Sequence, residues 1–366
     1  MAIAVPLLWR LRLVRSEQLR SRCPKPEVLS HARPWTAELS MTRMRLAPTI
    51  TRTAPDSEAM PCAGTLVGRY VIVREIAKGT CPLYLAHTQS HDQRGESADK
   101  LVRFIPQPQD LPGPDYHCII EAIWDSAIFD HDGVLQVEDV VSETASMAII
   151  HDFIAGNPLH SIHRCLCGAG RSFPPEIAVR IALDLFDGIE RSRKLCEARS
   201  IRWQPGCILM QSVQICDDGR TRTLDGLAMA AVLRSRSMRA FLGDSFIVAP
   251  EMLDDIGELD ERTDVFTIAA VLAELIAGGD SSQGLVHAVC RASDVDPSKR
   301  QATLEEFACE LVVGAEKVAT HSEVARFAAT FSPLETPLQS DVLELRRPLD
   351  DSGDTVARRS VENSAG

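Results

Sequence analysis

SIRWQPGCILMQSVQICDDGRTRTLDGLA, residues 200–228, reads as a loop, a short β-hairpin and an aspartate, Asp225, at the turn that follows. The apolar run Ile208-Leu209-Met210 behind Pro205 marks where the loop re-enters a core. The flanking chain can be ordered outward from here. Immediately upstream, PPEIAVRIALDLFDGIERSRKLCEA carries a proline pair and then a long 3.6-residue period, which predicts a helix. Downstream, DVFTIAAVLAEL (264–275) is apolar almost all round, as expected of a helix at the centre of a domain. LEEFACELVVG supplies a last amphipathic helix.

Before Gly156 the period changes from helical to two-residue. TLVGRYVIVREIA and PLYLAHT alternate apolar and polar residues around Lys78-Gly79-Thr80, predicting two antiparallel strands, and KLVRFI is a third, closed by Pro106. Ile119, Ile120, Ile123, Trp124, Ala127 and Ile128 have helical spacing, which puts Glu121 near the middle of one helix. GVLQVEDVV and ASMAIIHDFI complete a β-β-β-α-β-β order.

The chain has 366 residues, 45% of them hydrophobic, enough for one large domain with tails. A net charge of −12 argues against a general nucleic-acid binder, which needs a basic field. Residues 1–64 carry ten Arg/Lys against five Asp/Glu, with many Pro, Ser and Thr, and read as an irregular basic leader. From about Ala315 a polar, acidic tail is expected to lack a fold, giving a domain over 65–315 and a disordered stretch over 316–366. Eleven unpaired-looking cysteines suit a reducing cytoplasm. No run approaches the ~20 apolar residues of a membrane span. HSIHRCLC places His160, His163, Cys165 and Cys167 close together, but no second pair answers them; a helix with two surface histidines is preferred to zinc.

A five-stranded lobe with one helix followed by a mainly helical lobe, with motifs in matching order, resembles the bacterial serine/threonine protein kinases over residues 66–313. Glu121 falls at the family's ion-pair glutamate, VAPEML gives its A-P-E at Ala249, Pro250 and Glu251, LDERTDVFTIAAVLAEL matches its central helix with Asp264 at the buried aspartate, and DVDPSKR ends at its late arginine, Arg300, which pairs with the A-P-E glutamate. The resemblance implies an α+β bilobal protein-kinase-like fold: an antiparallel N-lobe to about residue 155 and a helical C-lobe from about 156 to 315.

It also implies a set of working parts, several of which are replaced. The glycine loop keeps only Gly79 and has Cys81-Pro82 where N–H donors are wanted. The strand lysine falls on Arg103, which could still pair with Glu121; a slip to Lys100 would misplace the apolar alternation. Aligning H-R-D-L-x-x-x-N on Ser200–Trp203 puts Arg202 at the catalytic base and Cys207 at the metal asparagine, so neither position suits its task. Asp225 is kept where D-F-G begins, and an ion pair with Arg202 is the expected use of it. Asp152 sits at the acidic hinge position beside His151, whose ring narrows the pocket or faces a carbonyl. The degenerate nucleotide pocket would thus comprise Gly79, Arg103, Glu121, Asp152 and Asp225.

These losses imply a pseudokinase that binds a protein partner, with no cofactor or metal expected and no catalytic residue retained. ATP binding without Mg²⁺, as in a nucleotide-sensing switch, stays open, as does a divergent active serine/threonine kinase. Arg234, Arg236 and Arg239 could meet an acidic partner, though a solvated basic loop is the preferred reading.

Overall fold

Alternating sequence builds the first lobe as a single antiparallel sheet. The computed structural model describes residues 60–89, 99–143, 146–203, 205–206, 208–242, 248–253 and 259–331. Its strands β1 (Leu66–Val67), β2 (Tyr70–Ala77), β3 (Leu83–Thr88) and β4 (Asp99–Pro106) are followed by helix α1 (Gly113–Ser126). Then come β5 (Val137–Glu143) and β6 (Ser146–Asp152). The six strands lie in the order β1-β2-β3-β4-β6-β5, with the short β1 added to the five that alternation predicts.

Register decides which side chains face the second lobe. Arg103 of β4 pairs with Ile149 of β6, and Leu101 pairs with His151. Because strand side chains alternate, Leu101, Arg103, Ile149 and His151 share one face. Lys100 pairs with Asp152 on the opposite face.

The second lobe begins with β7 (Gly156–Pro158), α2 (Leu159–Gly168) and α3 (Pro175–Ala198). A 3-10 turn (Met210–Ser212) leads into β8 (Val213–Cys216) and β9 (Thr221–Thr223), which complete a three-stranded sheet β7-β8-β9. After it come α4 (Gly226–Arg234), α5 (Arg236–Leu242), α6 (Pro250–Leu253), α7 (Glu261–Ile276), α8 (Gln283–Ala292), α9 (Leu304–Gly314) and α10 (His321–Ala328). α7 is buried on nearly every face, and α3 packs beside it with Ile181, Leu185 and Ile189 in the same core. The architecture is thus the expected α+β one: a small antiparallel lobe with one helix and a mainly helical lobe.

The hairpin is tied to the first lobe through the backbone. Leu135 N–H donates to the Thr223 carbonyl at 2.8 Å, and Thr223 N–H to the Gly133 carbonyl at 3.0 Å. Thr223 lies two residues before Asp225, so these bonds set where the aspartate enters.

The expectation of an unfolded tail from residue 316 is corrected by α10. Thr320 and Glu323 form a capping box, and Val324 and Ala328 are buried. The helix is fastened from below: Arg180 Nε donates to the Ala319 carbonyl at 2.7 Å, and His321 Nε2 lies 2.9 Å from Asp184. A polar composition hid a short helix whose apolar residues, Val324, Phe327 and Ala328, recur at the i, i+3, i+4 positions. Residues 1–59, from the leader, and 332–366, from the tail, lie outside the described residues.

Val324 is fully buried, so Val324→Ala should cost about 2 kcal/mol of stability through lost burial and a residual cavity. Urea unfolding of the two proteins checks this; equal midpoints would mean that α10 does not contribute to the folded core.

Candidate functional site

Asp225 stands at the junction of the two lobes with no solvent exposure. It takes a left-handed backbone, φ +69°, a conformation that aspartate tolerates better than most residues. One carboxylate oxygen, Oδ2, accepts from Arg103 Nε at 2.9 Å and from Ser212 Oγ at 3.2 Å. The other, Oδ1, faces His151 Nε2 at 3.1 Å, and Nδ1 of that ring lies 3.0 Å from the Gln136 carbonyl. His151 therefore meets a main-chain carbonyl and fills the space before Asp225 at once.

Arg103 is 1% exposed, and all three of its nitrogens are engaged. Beyond the Nε bond, Nη1 donates to the Cys81 carbonyl at 2.7 Å and Nη2 to the Gln211 carbonyl at 2.6 Å. A planar five-donor fork can join a carboxylate and two separate carbonyls in one plane, which a lysine ammonium would not. The loop after β2 is drawn inward: Cys81 is buried, and burial pushes its thiol up to about 12. Gly79 remains exposed at the tip of that loop, and a side chain there would meet nothing.

Burial alone would push the Asp225 carboxyl up, but the Arg103 charge and the His151 and Ser212 hydrogen bonds outweigh it and hold the group below the usual carboxylate range. Immediately beyond the polar cluster, Ile76, Leu83 and Leu101 of the first lobe meet Leu135 and Leu224 in one apolar cluster.

Two expected pairings are corrected. Arg103 does not bond Glu121, because its donors are taken and Glu121 is exposed on α1. The inward row of that helix is Ile119, Ala122, Ile123 and Ser126, and it packs against α4. Ser126 Oγ accepts from Leu227 N–H at 2.8 Å, satisfying one of the orphan donors at the start of α4. Gly226, φ +45°, lets this approach happen, since a Cβ there would stand 2.6 Å from Ser126 Oγ.

Arg202 does not bond Asp225 either; it is exposed, and its charge is felt by Arg234. The described loop residue that reaches Asp225 is Ser212, directly before β8. The apolar run Ile208-Leu209-Met210 is loop and 3-10 turn, so the strand begins later than that run suggests. Cys207, the other loop position singled out by the sequence, lies outside the described residues.

Asp152 is exposed and forms a cross-strand pair with Lys100 at 2.6 Å, away from the polar cluster; Lys100 also bonds Glu138. Of the five residues expected to form a pocket, Arg103 and Asp225 come together, while Gly79, Glu121 and Asp152 stand apart. Ser212 and the Cys81 carbonyl are members that sequence reasoning missed. In the HSIHRCLC segment, which is α2, His163 Nε2 lies 3.2 Å from the Glu274 carbonyl and 3.4 Å from Cys167 Sγ.

The supporting frame of the second lobe is continuous. Glu251 and Arg300 form a bidentate pair at 2.7 and 2.9 Å, with Thr263 Oγ1 on the same carboxylate at 2.9 Å and the guanidinium 4.7 Å from the Phe266 ring centre. Asp264 accepts from Gly206 N–H at 2.8 Å and from the Trp203 indole at 2.9 Å, which fixes the loop to α7. Burial raises its carboxyl to about 7 against those two bonds.

No protein-family profile and no curated protein matches the sequence. Among solved structures, the PknI kinase domain of Mycobacterium tuberculosis superposes with a TM-score of 0.51 at 15% identity over 70% of this chain and 100% of that one. Its C20A_R136N double mutant gives 0.51 at 16% identity over 69% and 98%. Among the described residues no helix is long and apolar enough to cross a membrane.

Arg103→Ala should cost about 3–5 kcal/mol at neutral pH, because it strands a buried carboxylate. A depressed folded-state pKa contributes stability above the usual value of 3.8 that is lost as pH falls through the folded value, so the gap between variant and parent should narrow in acid. Asp264 has the opposite sign: its contribution is full below 3.8 and is lost as pH rises through about 7. Asp264→Asn should therefore flatten the fall in stability between those values, read from urea unfolding at several pH values. The fold on which both groups sit is that of a protein kinase domain, two lobes joined at Arg103 and Asp225.

Proposed function

We propose that this chain is a pseudokinase, a kinase-shaped module that works by binding other proteins and transfers no phosphate. The observation that carries this reading is the state of Asp225: fully buried, with both oxygens committed to Arg103, Ser212 and His151. Mg²⁺ requires carboxylate oxygens open to an octahedral shell of oxygen ligands and water. Here a guanidinium already neutralises the carboxylate, an imidazole covers its other side, and no open oxygen remains. The residues present do not fit the metal.

Phosphoryl transfer depends almost entirely on positioning and charge stabilisation. The chain supplies Arg103 locked to protein acceptors, with Arg202 and Cys207 at the positions that the resemblance assigns to the base and the metal asparagine. The apolar contact of Ile76, Leu83 and Leu101 with Leu135 and Leu224 supports the reading, because it fills the lobe junction beside Asp225 with side chains. The Glu251–Arg300 and Asp264 networks favour a rigid helical lobe, as a binding scaffold needs.

A thermal-shift titration with ATP, with and without Mg²⁺, tests the proposal. No rise in melting temperature is expected. Binding with a Kd of about 50 μM would add about 2.7 kcal/mol at 100-fold excess over Kd, which is easily seen. A Mg²⁺-dependent rise, with label transfer to a protein substrate that Asp225→Ala abolishes, would overturn it in favour of an active kinase. A metal-independent rise would instead indicate a nucleotide sensor.

A further inference from the structure

The surface between α2, loop residues 208–211 and α7 opens into a cavity of about 330 Å³, near the small end of ligand pockets at about 300–1,000 Å³. Its floor is apolar, with Leu209, Met210 and Val271 each at most 6% exposed overall. Two opposite charges stand on its walls, Arg164 from α2 and Glu274 from α7. Among the described residues neither charged group has a hydrogen-bonding or ion-pair partner, and they form no pair with each other.

His163 Nε2 lies 3.2 Å from the main-chain carbonyl of Glu274, bridging the two helices. His160, also on the wall, has its proton affinity lowered by burial and then by the charges of Arg164, His163 and Arg103. The cavity is lined by one unpaired cation, one unpaired anion and a set of apolar side chains.

We propose that this cavity binds a small dipolar molecule carrying a carboxylate and an amine on an apolar body, as a free aliphatic amino acid does, with Arg164 taking the carboxylate and Glu274 the ammonium. Each contact would be a charge-assisted hydrogen bond, the stronger kind. The apolar body would cover Leu209, Met210 and Val271. Gln211 also lines the cavity, and its carbonyl holds Arg103 Nη2, so the site shares one peptide unit with the buried ion pair.

The test is a calorimetric titration of the full chain with L-leucine, 4-methylpentanoate, which lacks the amine, and 3-methylbutylamine, which lacks the carboxylate. Saturable leucine binding is expected, about tenfold or more tighter than either single-charge analogue. Arg164→Ala should abolish the preference of leucine over the amine, and Glu274→Gln its preference over the acid. The absence of saturable leucine binding, equal affinity for all three molecules, or binding indifferent to both substitutions would overturn the proposal. Melting curves establish that each variant is folded, and should one fail to fold, the three-ligand comparison on the parent chain decides alone. The result is independent of the ATP titration, since an active kinase could hold this cavity equally well.

Discussion

A carboxylate buried without a counter-charge would destabilise this fold by several kcal/mol, and the Arg103–Asp225 pair is what prevents it. The residues are 122 positions apart in sequence and come from different lobes. Around them the buried atoms are matched one to one: two carbonyls for the remaining guanidinium nitrogens, a hydroxyl and an imidazole for the carboxylate. Such a network is stable only when complete, because low dielectric strengthens each bond and equally penalises each gap. It thereby fixes the loop after β2, the turn before β8, the strand β6 and the start of α4 in a single arrangement.

The second fixed point is the contact of α1 with α4. Ser126 closes the first turn of α4, and Gly226 allows the approach. With α4 buried along its length, the inward face of α1 is apolar and Glu121 is left outside. The two features support one another, since an arginine whose donors already serve Asp225, Cys81 and Gln211 has no use for a glutamate from α1.

Sequence reasoning reached the fold because alternation and helical period are local and strong here, and because Glu251, Asp264 and Arg300 lie in distinctive neighbourhoods. Arg103 and Lys100 could be told apart by alternation, and they do lie on opposite faces of β4. Partners were harder. Nothing in a single sequence says that Arg103 meets a residue 122 positions on in preference to a glutamate 18 positions away. The start of the hairpin was hard to read because Ile208-Leu209-Met210 is more apolar than the strand itself, Val213–Cys216, which carries a buried glutamine. α10 was missed because polar composition outweighed a capping box and three well-spaced apolar residues.

The position of α10 has a consequence for how the chain is assembled. The backbone of Gly219, at the hairpin tip, lies so near the His321 carbonyl that a Cβ would stand 1.8 Å from that oxygen, while Asp184 binds both Thr221 N–H and the His321 ring. The hairpin that delivers Asp225 is thus clasped from outside by nearly the last described segment. Synthesis proceeds from the N-terminus, so Arg103 leaves the ribosome long before the clasp that steadies its partner. The contact that steadies the hairpin is therefore the last of these to become available, after both Arg103 and Asp225 have been made.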